Sequence, residues 1–298
     1  MSNGESEIIE ANKLSSDSVI VVGIVKNIGK TIKRDLEKLE ESLGFFKEVH
    51  WFVVESGSSD NSKAILEELA KQNSNFNYKS INIIADSELM RTENMAKARN
   101  KYLAFLRNTS RINDYSYVIV ADFNLLNKKI SRKSLLSSWE QTDWDVVTAN
   151  QSGPYYDIWA LRHPLWSPND CWEHHAFLRK YVKFPEKATT YAMRSRMLTS
   201  PRNSEWIKVD SAFGGLAIYK SKILKSGSLY SGKNSQGQRI CEHVPLHNHL
   251  TNEGARIFIN PGMINARYTD HSRRMTFRYF MYRASLYPYK KAKRFFNF

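Results

Sequence analysis

Asp122-Phe123-Asn124 closes an apolar run, Tyr117–Ala121, made of the β-branched and aromatic residues that suit a buried strand. In an extended segment residues i and i+2 point the same way, so a carboxylate and an amide would face one point at a strand end. Two hard oxygen donors there suit a magnesium or manganese ion, which takes few protein carboxylates and completes its shell with water and phosphate oxygens. The plainer alternative is a turn, which Asp and Asn often make. Glu55-Ser56-Gly57-Ser58-Ser59-Asp60 reads as a turn and helix cap. The same loop can also contact a nucleoside, with Glu55 accepting from the base or ribose. Arg91, Lys97 and Arg99 can neutralise a diphosphate. Arg99 is favoured because a guanidinium binds phosphate with two parallel hydrogen bonds, and Lys97 reads better as part of a solvated helix face.

These residues need elements to position them. The chain has 298 residues, with 42% hydrophobic and 25% charged, which permits a full core. Ser18–Val25 is an almost wholly apolar strand. Thr31–Leu43 carries Ile32, Leu36, Leu39 and Leu43 at helical spacing, and Val49–Val54 is a second strand. A helix with Ile65, Leu66 and Leu69 follows, with Ser59 or Asp60 as its cap. Next come a strand over Tyr78–Ile84, a helix over Glu93–Leu106 and the strand that ends at Asp122. This β-α-β-α-β-α-β alternation predicts a mostly parallel sheet with helices on both faces, an α/β fold that binds ligands at the carboxyl ends of its strands. The second half is less regular. It holds a helix over Ser131–Trp139 and strands over Trp144–Ala149, Ala212–Tyr219 and Arg256–Ile259. An irregular aromatic region over Gln151–Arg202 and a mobile Ser226–Gly237 loop complete it.

Forty-four Lys and Arg against 30 Asp and Glu give a net charge of +14, which implies acidic partners: nucleotides, phosphates, nucleic acid or an anionic membrane surface. Only two cysteines occur, Cys171 and Cys241, which fits a reducing cytosol. No apolar run is long enough to span a membrane. Residues 1–17 are polar and acidic and read as a flexible leader. The last stretch, 273–298, holds eight Lys or Arg, nine Phe or Tyr and no acid. Such a mixture suits an anionic membrane surface, single-stranded nucleic acid, or a helix packing its aromatics on the domain.

A strand, a Glu55-Ser56-Gly57-Ser58-Ser59-Asp60 turn, a helix with Ala98-Arg99-Asn100 and an apolar strand ending in Asp122-Phe123-Asn124 resemble the nucleotide-diphospho-sugar transferases of the GT-A fold. The amide of Asn124 stands where a second carboxylate is usual. Tyr155–Arg162 and Cys241–Val244 are similar to segments of the fungal capsule-associated α-1,3-mannosyltransferase family and its bacterial relatives. The resemblance implies one GT-A type domain over residues 18–272, with a nucleotide-binding half to residue 127 and an acceptor half beyond. It implies an enzyme moving a hexose from a nucleotide-diphosphate donor to a saccharide or lipid-linked acceptor, in capsule, lipopolysaccharide or related surface-glycan synthesis. The expected location is cytoplasmic, peripheral at the inner membrane.

The same resemblance implies roles for particular residues. Asp122, Asn124 and a late histidine, His271, would hold Mn or Mg, with Glu55, Ser56, Arg99, Asp122 and Arg273 on the donor. Glu242 and Asp157 are the expected catalytic carboxylates. Glu242 would be the base of an inverting enzyme or an acceptor ligand of a retaining one, and its plainer reading is an acid at a helix N-terminus. Tyr156, Trp159, Arg162, Gly215 and His243 would line the acceptor side. Competing readings are a nucleotidyltransferase, a nucleic-acid-binding protein or nuclease suggested by His247-Asn248-His249, and a non-catalytic carbohydrate-binding protein.

Overall fold

A computed structural model of the chain describes residues 3–82, 90–108, 111–225, 227–273 and 281. After helix α1 (Asn3–Leu14), strands β1 (Ser18–Val25), β2 (Glu48–Glu55), β3 (Phe76–Ser80) and β4 (Tyr117–Ala121) alternate with α2 (Ile32–Leu43), α3 (Ser62–Gln72) and α4 (Arg91–Asn108). The second half supplies α5 (Arg132–Leu136), β5 (Val146–Gln151), α6 (Cys171–Tyr181), α7 (Ala188–Ala192), β6 (Ile207–Val209), β7 (Leu216–Lys220), α8 (His243–Asn252) and β8 (Ile257–Ala266). All eight strands join one sheet in the order β3-β2-β1-β4-β7-β5-β8-β6. Only β6 and β7 run against the rest. The expected α/β class with a mostly parallel sheet is what the structure has. The strands read as unbroken apolar runs because both faces are covered. Val19 and Val21 pack with Ile32, Leu36 and Leu39 of α2 on one face. Ile20 and Val22 pack with Ala98, Tyr102 and Leu103 of α4 on the other.

Several expectations change. Residues 3–14 are a helix rather than part of a flexible leader: Ala11 and Leu14 sit in the core, and Glu7 meets Lys133 at 2.9 Å. The third strand is Phe76–Ser80, and residues 83 and 84 of the expected strand lie outside the described residues. The aromatic region holds two helices, α6 and α7. The last strand extends to Ala266. The stretch 227–237 is held on α4. Asn100 brackets Tyr230, its Nδ2 donating to the carbonyl at 3.0 Å and its Oδ1 accepting from the N–H at 2.9 Å. Arg107 donates to the Ser228 carbonyl at 2.8 Å. Gly232 lies so close to α4 that a Cβ there would stand 2.2 Å from the Glu93 nitrogen. Polar anchors of this kind leave no hydrophobic signature. Residues 274–298, apart from 281, lie outside the description, and with them the expected membrane role of the tail.

Candidate active site

The chain leaves β1 for β2 and β3 on one side and returns to β4 on the other, so the crevice between β1 and β4 is the switch point where open α/β sheets bind ligands. A cavity of about 370 Å³ lies there, walled by Val25, Ser56, Arg91, Asp122 and Asn124. A second cavity, of about 410 Å³, adjoins it on the side of the second half, with Asp157, Trp159, Glu242, His243 and His271 in its wall. Arg91, Met95 and Asp122 line both.

A buried ion cluster forms the floor. Arg99, on α4 and 1% exposed, donates from Nε to Glu242 Oε1 at 2.9 Å and from Nη2 to Asp122 Oδ1 at 3.1 Å. Its guanidinium lies over the Phe213 and Tyr230 rings, at 5.2 and 5.7 Å. Nη1 has no hydrogen-bond partner. Glu242 is 2% exposed, just ahead of α8. Burial raises the Asp122 carboxyl above its ordinary range, while Arg99 pulls it back. His243 stacks on Phe213 at 4.0 Å, and neither ring nitrogen has a hydrogen-bond partner, although Nε2 lies 3.8 Å from Glu242 Oε1. Burial and the Arg99 charge hold it well below the usual imidazole range, so it is neutral.

Asp157 faces this cluster from the loop after β5. Burial pushes its carboxyl up to about 7, and the charges of Asp122 and Glu242 add to the effect. The Gly214 N–H donates to its Oδ2 at 3.0 Å and opposes the shift. That contact depends on the Gly214-Gly215 bend into β7, with φ of +66° and +88°. A Cβ on Gly215 would stand 2.4 Å from Leu126 and 2.9 Å from the Tyr156 hydroxyl. Tyr156 stacks its ring on the exposed His271, with centroids 6.1 Å apart and planes 9° off parallel. Trp159 lines the second cavity with the Arg239 guanidinium over its ring at 4.8 Å.

Other expected site residues lie elsewhere or do something else. Arg99 is held in the floor by both carboxylates, with only Nη1 left unpaired. Arg162 gives its guanidinium to Asp170 Oδ2, at 2.6 Å, and to the carbonyls of Trp159 and Leu161. Asp170 is the N-cap of α6, so Arg162 braces the cavity wall and is not among its lining. Glu55 is fully buried: one oxygen accepts from the Ser58 N–H, and the other faces Lys63 at 3.8 Å. The turn it anchors braces the loop after β1, where the Gly29 N–H donates to Asp60 at 3.0 Å and the Ser59 N–H to Asn27 at 2.8 Å. Asp60 also accepts from the Ser62 N–H at the start of α3, while Asn61 is the N-cap position. Ser56 reaches the first cavity, and Arg273 is exposed outside both. Asn124 is not extended. It and Leu125 have φ of +73° and +61°, and both N–H groups donate to the buried Asp35 carboxylate at 2.8 Å. The parallel i, i+2 geometry therefore stops at Asp122. His247 is also fully buried, between Ser211 Oγ at 2.9 Å and the Tyr219 hydroxyl at 2.7 Å. Burial lowers its pKa to about 3, so His247 is neutral and sealed from solvent, while His249 is exposed and faces Glu253 at 3.1 Å.

The cation exposed to both cavities is Arg91, on the same helix as Lys97 and Arg99, and its charge is felt at Asp122. Its position on the first turn of α4 was the available signal. Arg239 left none, since it sits in a Gly/Ser-rich stretch. Among the described residues, no group of three or more His, Cys, Asp or Glu side chains is arranged to hold a metal ion. Asp122 still has Oδ2 outside its hydrogen bond to Arg99, with Asn124 along the wall of one cavity and His271 along the other.

No protein-family model matches the sequence, and no curated protein matches it. Solved structures of similar fold include the mannosyltransferase PcManGT from Pyrobaculum calidifontis in complex with GDP-Man and Mn2+, at 12% identity and TM-score 0.46, covering 89% of this chain and 65% of that one. S. aureus TarS 1-349 in complex with UDP-GlcNAc matches at 16% identity and TM-score 0.46, covering 85% and 60%. Glucosyl-3-phosphoglycerate synthase from Mycobacterium tuberculosis in complex with UDP matches at 12% identity and TM-score 0.39, covering 90% and 74%. The chain thus spans less than two thirds of the first two. At these identities the likeness is one of fold alone.

Proposed function

We propose that the chain is a GT-A type glycosyltransferase that moves a sugar from a nucleoside-diphosphate donor to a saccharide or lipid-linked saccharide. The observation that carries this is the pair of adjoining cavities at the carboxyl edge of the sheet, sharing Arg91 and Asp122. The crevice between β1 and β4 takes the nucleoside, near Ser56. Arg91 takes the diphosphate, where a guanidinium fits phosphate oxygens. The second cavity takes the acceptor against Trp159 and Tyr156, whose rings offer flat apolar area to a sugar.

Of the two carboxylates, Asp157 suits the base. A group ionising near 7 gives up and takes protons at working pH, whereas Glu242 is locked to Arg99. The acceptor oxygen forms its bond to the anomeric carbon as the bond to the diphosphate breaks. The hydroxyl proton passes to Asp157, and the leaving diphosphate carries the electron pair toward Arg91. Glu242 acts by positioning Arg99 and, through it, Asp122. A divalent ion would take a hard oxygen from Asp122 Oδ2, with Asn124 on the wall of one cavity and His271 on that of the other as the further donors. When bound, that ion supplies charge for the leaving diphosphate. Surface-glycan synthesis at the inner membrane is the setting that the sequence resemblance suggests.

The test is thermal stability and calorimetric binding with UDP- and GDP-sugars, with and without manganese. At least one donor should raise Tm. Arg91→Ala should weaken its binding tenfold or more while leaving the Tm of the free protein unchanged, because Arg91 is exposed. Donor affinity unaffected by Arg91→Ala would remove the diphosphate from this site.

A further inference from the structure

We propose that the α6–α7 limb is a docking surface for an anionic lipid bilayer. Of the 11 residues of α6, only Cys171 is buried. Four aromatic side chains stand out in solvent: Phe177 at 57% exposure, Tyr181 at 63%, Phe184 at 48% and Tyr191 at 48%. Phe177 and Tyr181 are one helical turn apart, and their ring centroids are 4.8 Å apart, so they present one face. A chain with an intact core has no reason of stability to leave four rings in water, and clustered exposed apolar area marks an interaction surface.

Charge selects the partner. Between Cys171 and Leu198 there are six Lys or Arg and two Glu. All three lysines lie over the exposed rings themselves: Lys180 over Tyr181 at 5.1 Å, and Lys183 and Lys187 over Phe184 at 5.6 and 4.6 Å. A bilayer boundary takes both groups together, the rings at the level of the headgroups and the ammonium ions on lipid phosphate. A protein partner would have to supply acids interleaved with apolar pockets at the same spacing. No helix among the described residues is long and apolar enough to cross a membrane, so attachment would be peripheral.

The limb is continuous with the second cavity, because Trp172 at the start of α6 and Met193 and Met197 beyond α7 are in its wall. Docking would set the mouth of that cavity at the headgroups, where a lipid-linked acceptor carries its sugar. This consequence rests on the glycosyltransferase reading; the docking does not.

The experiment is flotation of the full chain with phosphatidylcholine vesicles, with and without phosphatidylglycerol, over a range of salt. Binding should require the anionic lipid and weaken as salt rises. Lys180→Gln/Lys183→Gln/Lys187→Gln should weaken it about a hundredfold, at roughly fivefold per lysine. Phe177→Ser/Phe184→Ser should also weaken it without changing its salt dependence. Both variants should keep the Tm of the wild type without any ligand, which shows that they are folded and separates this test from that of function. Equal binding by the wild type and both variants would place attachment elsewhere in the chain and overturn the proposal. So would equal binding to neutral vesicles, or a lipid-free dimer that either variant dissolves, since the face would then belong to a second copy.

Discussion

Replacing Asp157 by Asn tests the electrostatics of the cavity without relying on any substrate. Burial, then Asp122 and Glu242, carry the carboxyl from an ordinary 3.8 up to about 7. At 1.36 kcal/mol per pH unit the gap corresponds to at most ~4 kcal/mol of differential stability. Asp157 is half-buried and water screens part of the effect, so about 2 kcal/mol is the working figure. The sign follows from proton counting. Between about pH 4 and 7 the unfolded chain has lost this proton and the native chain retains it, so native stability falls as pH rises through that window. The amide of Asp157→Asn does not ionise in that window and can still accept from the Gly214 N–H. Urea unfolding of both proteins at about pH 4, 6 and 8 should therefore show the variant gaining about 2 kcal/mol on the wild type from the lowest pH to the highest. In the transfer assay kcat/KM should rise with pH toward a plateau above about 7 and fall on substitution by roughly 10²–10⁴-fold. A stability difference that stays constant across the window would refute the account, since the carboxyl would then ionise alike in both states.

Two further outcomes concern the floor and the bend. Arg99→Met leaves Glu242 and Asp122 facing each other unpaired, so urea unfolding should show a loss of about 3–5 kcal/mol, part of which Glu242→Gln in the same chain recovers. A loss below about 1 kcal/mol would mean that water already solvates the pair. Gly215→Ala puts a Cβ into Leu126 and the Tyr156 hydroxyl at a φ of +88°, and should lower stability by about 1–3 kcal/mol. If Tyr156 faces the acceptor, that variant raises the acceptor KM more than it weakens donor binding.

The first half of the fold was legible because both kinds of period are intact in it. Val19–Val22 shows the unbroken apolar run of a strand covered on both faces, and Ile32, Leu36, Leu39 and Leu43 mark the buried stripe of α2. Two cores on opposite faces follow from the alternation. The second half is held by single polar contacts, such as Asn100 on Tyr230 and Arg162 on Asp170, which carry no period. The site was legible as a set of residues and less so as a set of roles. Asp122, Asp157, Glu242, His243 and His271 do meet at one cavity. Sequence spacing cannot say which of two arginines on one helix is buried. Arg91 and Arg99 are eight residues apart, two turns and a fraction, yet α4 buries one and exposes the other because its N-terminal turn overhangs the cavity. The Asn124 geometry was beyond reach for a similar reason, since Asp35, 89 residues earlier, imposes the turn.

The charges of the floor explain why one buried arginine is not enough. Arg99 offsets one of two carboxylates, Asp122 and Glu242, and a second negative charge arrives whenever Asp157 ionises. A nucleoside diphosphate bound as proposed beside Asp122 would meet that residual charge, and like charges about 4 Å apart near a protein surface repel by roughly 4 kcal/mol. Under the proposed function Arg91, with Lys26 on the wall of the same cavity, would have to offset both this and the diphosphate's own charge, a condition that a divalent cation would relieve. It also sets two demands on one carboxyl. Under the proposed function donor binding would be easiest with the proton on Asp157, and transfer would require the proton off until the acceptor hydroxyl supplies one. A pKa near 7 lies between the two demands, and the Gly214 N–H, held in place by a left-handed bend, keeps it from rising further. On this argument the Gly214-Gly215 pair is part of the electrostatic design of the site as well as the hinge into β7.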